Sequence, residues 1–287
     1  MRTLVVFLMI TFFHLPLSAQ DAWNDYVIGR PMVGYYDAKK VVAQEWGINY
    51  KVTFAGCILS DEISDKARSY QNSNNAYFET LSSKYGQNWM QDFELEVKKE
   101  VHRNTTQEKG TWYEIADNNK DKAFYTFKKA VAKTWGISYE AQFISEDMSA
   151  SDKATLTERF LANNNYVQQL KNTFGQNWQD KLTQEVNFEV AKQEVANHNQ
   201  VWVDYVIGKP YMAYFEAKKA VAQEWGIHYE PQFKGCNLSK KMEKEAIKVE
   251  TANAPYFKFL EKQFGKDWNV RFDSAVQKRI VKEQLNQ

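Results

Sequence analysis

Cysteine, histidine and net charge are all scarce in this 287-residue chain, and each scarcity removes a class of function. Past residue 19 the histidines are His102, His198 and His228, and none stands in a His-x-x-x-His spacing. The two cysteines, Cys57 and Cys236, form no Cys-x-x-Cys. A zinc or haem site therefore has no basis in the sequence, and no EF-hand loop spacing offers a calcium site. No metal and no cofactor is expected. Gly-x-Ser-x-Gly, phosphate-binding glycine loops and Gly-x-Gly-x-x-Gly are all missing, so the common nucleophile and nucleotide motifs go with them. A cysteine nucleophile needs a base beside it, and no histidine recurs in step with Cys57 and Cys236. An acidic pair converging in space would still suffice for glycoside hydrolysis, so catalysis is left uncertain but disfavoured, with no catalytic residue to name.

Long apolar runs are confined to the start. Arg2 precedes an apolar stretch from Leu4 to Leu17, and Leu17-Ser18-Ala19 fits a small-residue cleavage site. Residues 1–19 read as a secretory signal peptide, too short and wrongly flanked to span a membrane. The expected product starts at Gln20 and works in the periplasm or outside the cell, with no transmembrane segment. Lysine plus arginine number 37 and the acids 36, and Arg2 lies in the leader, so the remainder is balanced. A neutral chain has no general attraction for phosphate backbones, and no nucleic-acid partner is expected.

What the chain does have is repetition. Ala38-Lys-Lys-Val-Val-Ala-Gln-Glu-Trp46-Gly47-Ile48 returns as Phe127-Lys-Lys-Ala-Val-Ala-Lys-Thr-Trp135-Gly136-Ile137 and again as Ala217-Lys-Lys-Ala-Val-Ala-Gln-Glu-Trp225-Gly226-Ile227. Trp23, Trp112 and Trp202 open three units, and Trp89, Trp178 and Trp268 recur late in each. The expected domains are 20–107, 108–198 and 199–287. In the first unit Asp25–Gly29 reads as a short strand or an extended entry. Tyr35, Lys39, Val42, Ala43 and Trp46 share one face of a helix that Gly47 stops. Ile48, Tyr50, Val52 and Phe54 alternate as in a half-buried strand, and Pro231 in the third copy favours a sheet edge. Ser60, Ser149 and Ser239 are placed to cap a second helix, which Asn74, Asn163 and Asn253 are expected to end, with Pro255 marking a restart. A third helix stops at Gly86, and Asn88, Asn177 or Asp267 is expected to cap a last helix striped with Trp89, Phe93, Val97 and Val101. The fold class is α+β: three tandem helix-dominated repeats, each with a short strand pair, in the order β-α-β-α-α-α.

Leu81-Ser-Ser-Lys-Tyr85, Leu170-Lys-Asn-Thr-Phe174 and Leu260-Glu-Lys-Gln-Phe264, each followed by Gly-x-Asn/Asp-Trp, resemble a small domain of exported bacterial proteins with the signature Phe-Glu-Lys-Lys-Tyr (FEKKY). The Trp-Gly-Ile strand ending in Gly56-Cys57 and Gly235-Cys236 looks like the same domain. The resemblance covers all three units and implies no activity.

Cys57 and Cys236 occupy corresponding positions, with Glu146 between them in the series. They pair only if the repeats wrap around a shared axis; two buried thiols or an intermolecular bridge are the alternatives. The abundant aromatic residues read as large fillers for small cores rather than as stacking platforms for ligands. One polar pattern stands out. Lys39, Lys128 and Lys218 fall within the apolar helix stripe, and Asp25, Glu114 and Asp204 lie two residues after the leading tryptophans. A lysine among apolar neighbours needs a partner or snorkels to water, so the six are candidates for structural pairing or for binding. The expected function is a non-catalytic exported array that binds a protein or glycan partner, or acts as envelope scaffold. The alternative is a secreted hydrolase with its site at a junction between repeats.

Overall fold

Five-residue strands pair side by side three times along the chain. The computed structural model describes residues 22–56, 60–105, 110–117, 122–143, 148–235 and 239–285. In it β1 (Trp23–Val27) pairs with β2 (Tyr50–Phe54), β3 (Thr111–Ile115) with β4 (Ser138–Gln142), and β5 (Trp202–Val206) with β6 (Tyr229–Phe233). Every pair is parallel and forms its own two-stranded sheet, with Trp23, Trp112 and Trp202 opposite Tyr50, Tyr139 and Tyr229. Parallel partners cannot be joined by a tight turn and need a long connection. The helices α1 (Val33–Trp46), α4 (Lys122–Thr134) and α7 (Met212–Glu224) occupy that place in the chain. The α+β class holds; the leader, Cys57, Glu146 and Cys236 lie outside the described residues.

The helices that follow depart from the sequence reading. α2 (Asp61–Tyr85), α5 (Ala150–Phe174) and α8 (Lys240–Phe264) each run 25 residues unbroken, where two helices were expected. Serine begins them as expected, Ser149 and Ser239 accepting from the N–H groups of Asp152 and Met242 at 3.1 and 3.2 Å. Pro255 lies inside α8, where it removes one helical N–H without ending the helix. The asparagines expected to end helices are buried inside them instead. Their amides face a strand: Asn74 Oδ1 accepts from the N–H of Asn24 at 2.8 Å, and its Nδ2 donates to the same residue's carbonyl at 2.8 Å. Asn163 holds Tyr113 in this way and Asn253 holds Val203. One side chain thus serves both outward backbone groups of a strand residue, as a neighbouring strand would.

The last helices, α3 (Trp89–Asn104), α6 (Trp178–Ala196) and α9 (Trp268–Leu285), bury Trp89, Phe93 and Val97, Trp178, Leu182 and Val186, and Trp268, Phe272 and Val276, while Val101 at the end of the first predicted stripe is only half-buried. Asn88 and Asn177 precede them but make no side-chain cap bond, contrary to expectation. Their ψ angles of 6° and 21° are far from the extended backbone from which a capping oxygen reaches the first turn.

Contacts divide the chain into two units: residues up to Pro31 with Ile48–Thr80, and Met32–Gly47 with Leu81 onward. In the first, Trp23 sits edge-on to Tyr50 and Phe78 with centroids 5.4 and 5.1 Å away. In the second, α1 packs on α3 and α9, α4 on α6, and α7 on α9. A recurring contact joins its helices. Lys99 of α3 lies 4.5 Å from the centre of the Trp135 ring, Phe188 of α6 stands edge-on to Trp225 at 4.7 Å, and Lys278 of α9 sits 3.3 Å over Trp46. The approach is close enough to explain two glycines. Gly136 and Gly226 have φ of +73° and +72°, and a Cβ there would press on the backbone of Arg103 and of Lys192 respectively. Among the described residues no helix is long and apolar enough to cross a membrane.

Candidate functional site

Two of the three expected acid–lysine pairs lie within the second unit, and both form. The leading tryptophan of β3 or β5 turns its ring inward, the acid two residues later projects from the same face of the strand, and the lysine arrives from the helix stripe. Lys128 Nζ lies 2.5 Å from Glu114 Oε2, and Lys218 Nζ lies 2.7 Å from Asp204 Oδ2. Aromatic rings enclose each ammonium. The centroids of Trp112, Tyr139 and Phe124 are 4.8, 5.6 and 6.0 Å from Lys128; those of Trp202, Tyr229 and Tyr214 are 4.3, 5.2 and 5.7 Å from Lys218. Ring faces offer the negative quadrupole that a desolvated cation needs. Both lysines are buried, while about 30% of each acid side chain stays exposed.

The acids have second partners that the sequence reading did not single out. Tyr139 donates its hydroxyl to Glu114 at 3.0 Å, and Tyr229 donates to Asp204 at 2.9 Å. Burial first, then the neighbouring carboxylate, raises both phenol pKa values far above the usual tyrosine range, so these hydroxyls remain donors at any physiological pH. Tyr214 beside Lys218 is pushed up to about 12, by burial and then by Asp273 and Asp204. The signal for the tyrosines was present: each stands 25 residues after its acid. It was read as part of an apolar alternation.

Asp25 and Lys39 fall in different units, and each has partners in its own. Asp25 accepts from Trp23 Nε1 at 2.9 Å and from the Tyr50 hydroxyl at 2.7 Å. Lys39 is buried, 5.7 Å from the Tyr35 ring centre and 3.9 Å from Glu94 Oε1. Tyr35 in turn donates to Glu94 Oε2 at 2.9 Å.

These cages are cation sites already filled by the chain's own ammonium groups. Their polar atoms hold a strand to a helix, and a ligand would have to displace a buried ion pair to use them.

Two other features stay open to ligands. Phe54, Phe143 and Phe233, at corresponding places at or just after the end of the second strand, are 44%, 43% and 40% exposed. Phe143 and Phe233 each lean edge-on against a helix ring, Tyr125 at 5.4 Å and Phe215 at 5.2 Å. The other feature is a groove of about 310 Å³ bounded by α3, the end of α5 and the first turns of α6. Met90, Leu95 and Phe174 line its apolar part, and Glu94, Lys98 and Lys181 its polar part. Nearby, Asp92 has its pKa raised by burial, against the pull of Lys278 and, more weakly, Lys181. Burial brings Lys278 down to about 8 despite Asp92 and Glu96, and brings Lys84 down to about 8 as well.

Among the described residues no group of three or more His, Cys, Asp or Glu side chains is gathered to hold a metal ion. No protein-family model, curated protein or solved structure matches the chain.

Proposed function

We propose that the chain is an exported, non-catalytic scaffold of three tandem FEKKY-type modules, covering 20–107, 108–198 and 199–287, that binds a protein or glycan partner outside the cytoplasm. One observation carries the binding reading: three phenylalanines at corresponding positions keep 40–44% of their surface in water. The acids, tyrosines and asparagines that recur with them spend their polar atoms inside the fold. An aromatic ring left out at the same place three times suits a partner that offers several equivalent apolar faces. Linked weak sites then raise avidity well above the affinity of one. The modular reading is supported by three sheets of one register and by asparagine clamps spaced alike.

The test is affinity capture from envelope and culture-medium fractions with residues 20–287 as bait, comparing the parent with Phe54→Ser, Phe143→Ser, Phe233→Ser and the triple variant. Single variants are expected to weaken capture several-fold and the triple variant to lose it, with melting unchanged. A triple variant that captures the same partner as well as the parent sinks the reading.

The hydrolase alternative has one observation in its favour, since the Met90 and Leu95 that line the groove beside α3 are not repeated at the corresponding positions of α6 and α9. Its single carboxylate, Glu94, is already held by Tyr35 and lies near Lys39. Turnover of chromogenic esters or glycosides that Glu94→Gln abolishes would favour that reading instead.

A further inference from the structure

The groove bounded by α3, α5 and α6 differs from the phenylalanine platforms in that its apolar lining is not repeated along the chain. Where α3 carries Met90 and Leu95, the corresponding positions are Gln179 and Gln184 in α6 and Asn269 and Ser274 in α9. The apolar pair on α3 is therefore replaced by polar residues in both corresponding helices. Met90 and Leu95 are half-buried with Phe174 buried beneath, so a tail laid there exchanges water for side chains on several sides.

The rim has a charge preference. Glu94 is engaged by the Tyr35 hydroxyl at 2.9 Å and neighbours Lys39 at 3.9 Å, so its charge is answered from the far side of α3. Lys98 and Lys181 make no ion pair within 4 Å among the described residues. Asp92 does not line the groove and couples first to Lys278 and only then to Lys181. Two ammonium groups above an apolar floor call for an anion with a hydrocarbon tail. The volume of about 310 Å³ sits at the lower end of the range for small-molecule sites, which limits the guest to one short chain.

We propose that this groove binds a small aliphatic carboxylate, its tail against Met90, Leu95 and Phe174 and its carboxylate between Lys98 and Lys181.

The probe is decanoate, titrated calorimetrically into residues 20–287, with decanol and acetate as partial ligands. Decanoate is expected to bind below millimolar concentration and acetate not at all. Octanoate should bind about tenfold more weakly than decanoate, since each fully buried methylene contributes up to about fourfold. Lys98→Gln and Lys181→Gln should each weaken decanoate about tenfold and leave decanol unchanged, and Leu95→Asp should abolish both. Lys98 is exposed and Lys181 half-buried, neither in the core, so the lysine variants keep the test valid if Leu95→Asp disturbs folding. No decanoate binding at one millimolar overturns the proposal. So does binding that ignores both lysine substitutions, which places the ligand elsewhere. Tighter binding of N-acetyl-leucyl-phenylalanine than of decanoate reassigns the groove to peptide carboxyl termini, also against the proposal. Partner capture through the phenylalanines is read separately, so either reading can fail alone.

Discussion

Replacing Asn163 by alanine tests whether one amide stands in for a neighbouring strand. The side chain is buried, accepts from the Tyr113 N–H at 3.0 Å and donates to the Tyr113 carbonyl at 2.8 Å. Alanine leaves both backbone groups unpaired, at about 1–3 kcal/mol each. Tyr113 is only half-buried, so water reaches part of the gap and the lower end of that range applies. Alanine also returns roughly 0.5 kcal/mol through its higher helix propensity. The net loss should be about 1.5–2 kcal/mol. Amide hydrogen exchange gives the sharper readout. The Tyr113 amide should lose protection, while that of Ala116, which bonds the Gln142 carbonyl at 2.9 Å, should change less. Asn163→Asp keeps an acceptor but sets an oxygen against the Tyr113 carbonyl, so it should be no more stable than alanine at neutral pH. A Tyr113 amide as protected as in the parent, or a loss below about 0.5 kcal/mol, refutes the clamp.

Two further substitutions probe the joints between helices. Gly226→Ala must adopt a φ of +72° and push a methyl against the Lys192 backbone, so it should cost about 3 kcal/mol or more in urea unfolding, of which the backbone angle alone is about 1–2; a parent-like midpoint argues against the close approach. Lys278, with a folded pKa of about 8 against an ordinary 10.5, should make stability rise with pH between those values, because there the unfolded chain keeps a proton that the folded chain has released. Lys84 adds in the same direction, whereas the buried tyrosines pull stability down above about pH 10, where the unfolded phenols ionise first. Urea midpoints at pH 7.5 and 9.5 should therefore converge in Lys278→Met, and an unchanged slope removes Lys278 as the cause.

The apolar periodicities were legible because burial dictates them directly. Trp89, Trp178 and Trp268 lie inside as their i, i+4, i+8 stripes require, and Lys128 and Lys218 meet the acids that their burial demanded. Asparagine was misread because it is equally at home at a helix end and in a side-chain clamp, and only the strand opposite decides which. Pro255 deepened the error, since a proline in the sequence does not reveal that the surrounding helix tolerates one lost bond. Phe54 falls on the buried side of the alternation yet is exposed, because alternation identifies a face of a strand and not how far along it the cover extends. The groove left still less trace. Met90 and Leu95 on α3, Phe174 at the end of α5 and Lys181 on α6 come from three elements, and no spacing in the chain announces that they converge.

The contact of Lys278 with Trp46 bears on the order in which the protein assembles. Most contacts that build the sheets and their helices are local and can form as soon as their own segment is available. The face of α1 that α9 covers must wait for almost the whole chain, on the order of ten to fifty seconds at ribosomal speed. Closing so long a loop costs more entropy than any neighbouring contact, and it therefore comes last. Until then Trp46 and Tyr85 lack the cation that lies over them, so an emerging chain displays an aromatic surface that the finished one hides. A chain cut short before α9 keeps that surface permanently, and such fragments should be the species that chaperones and proteases see.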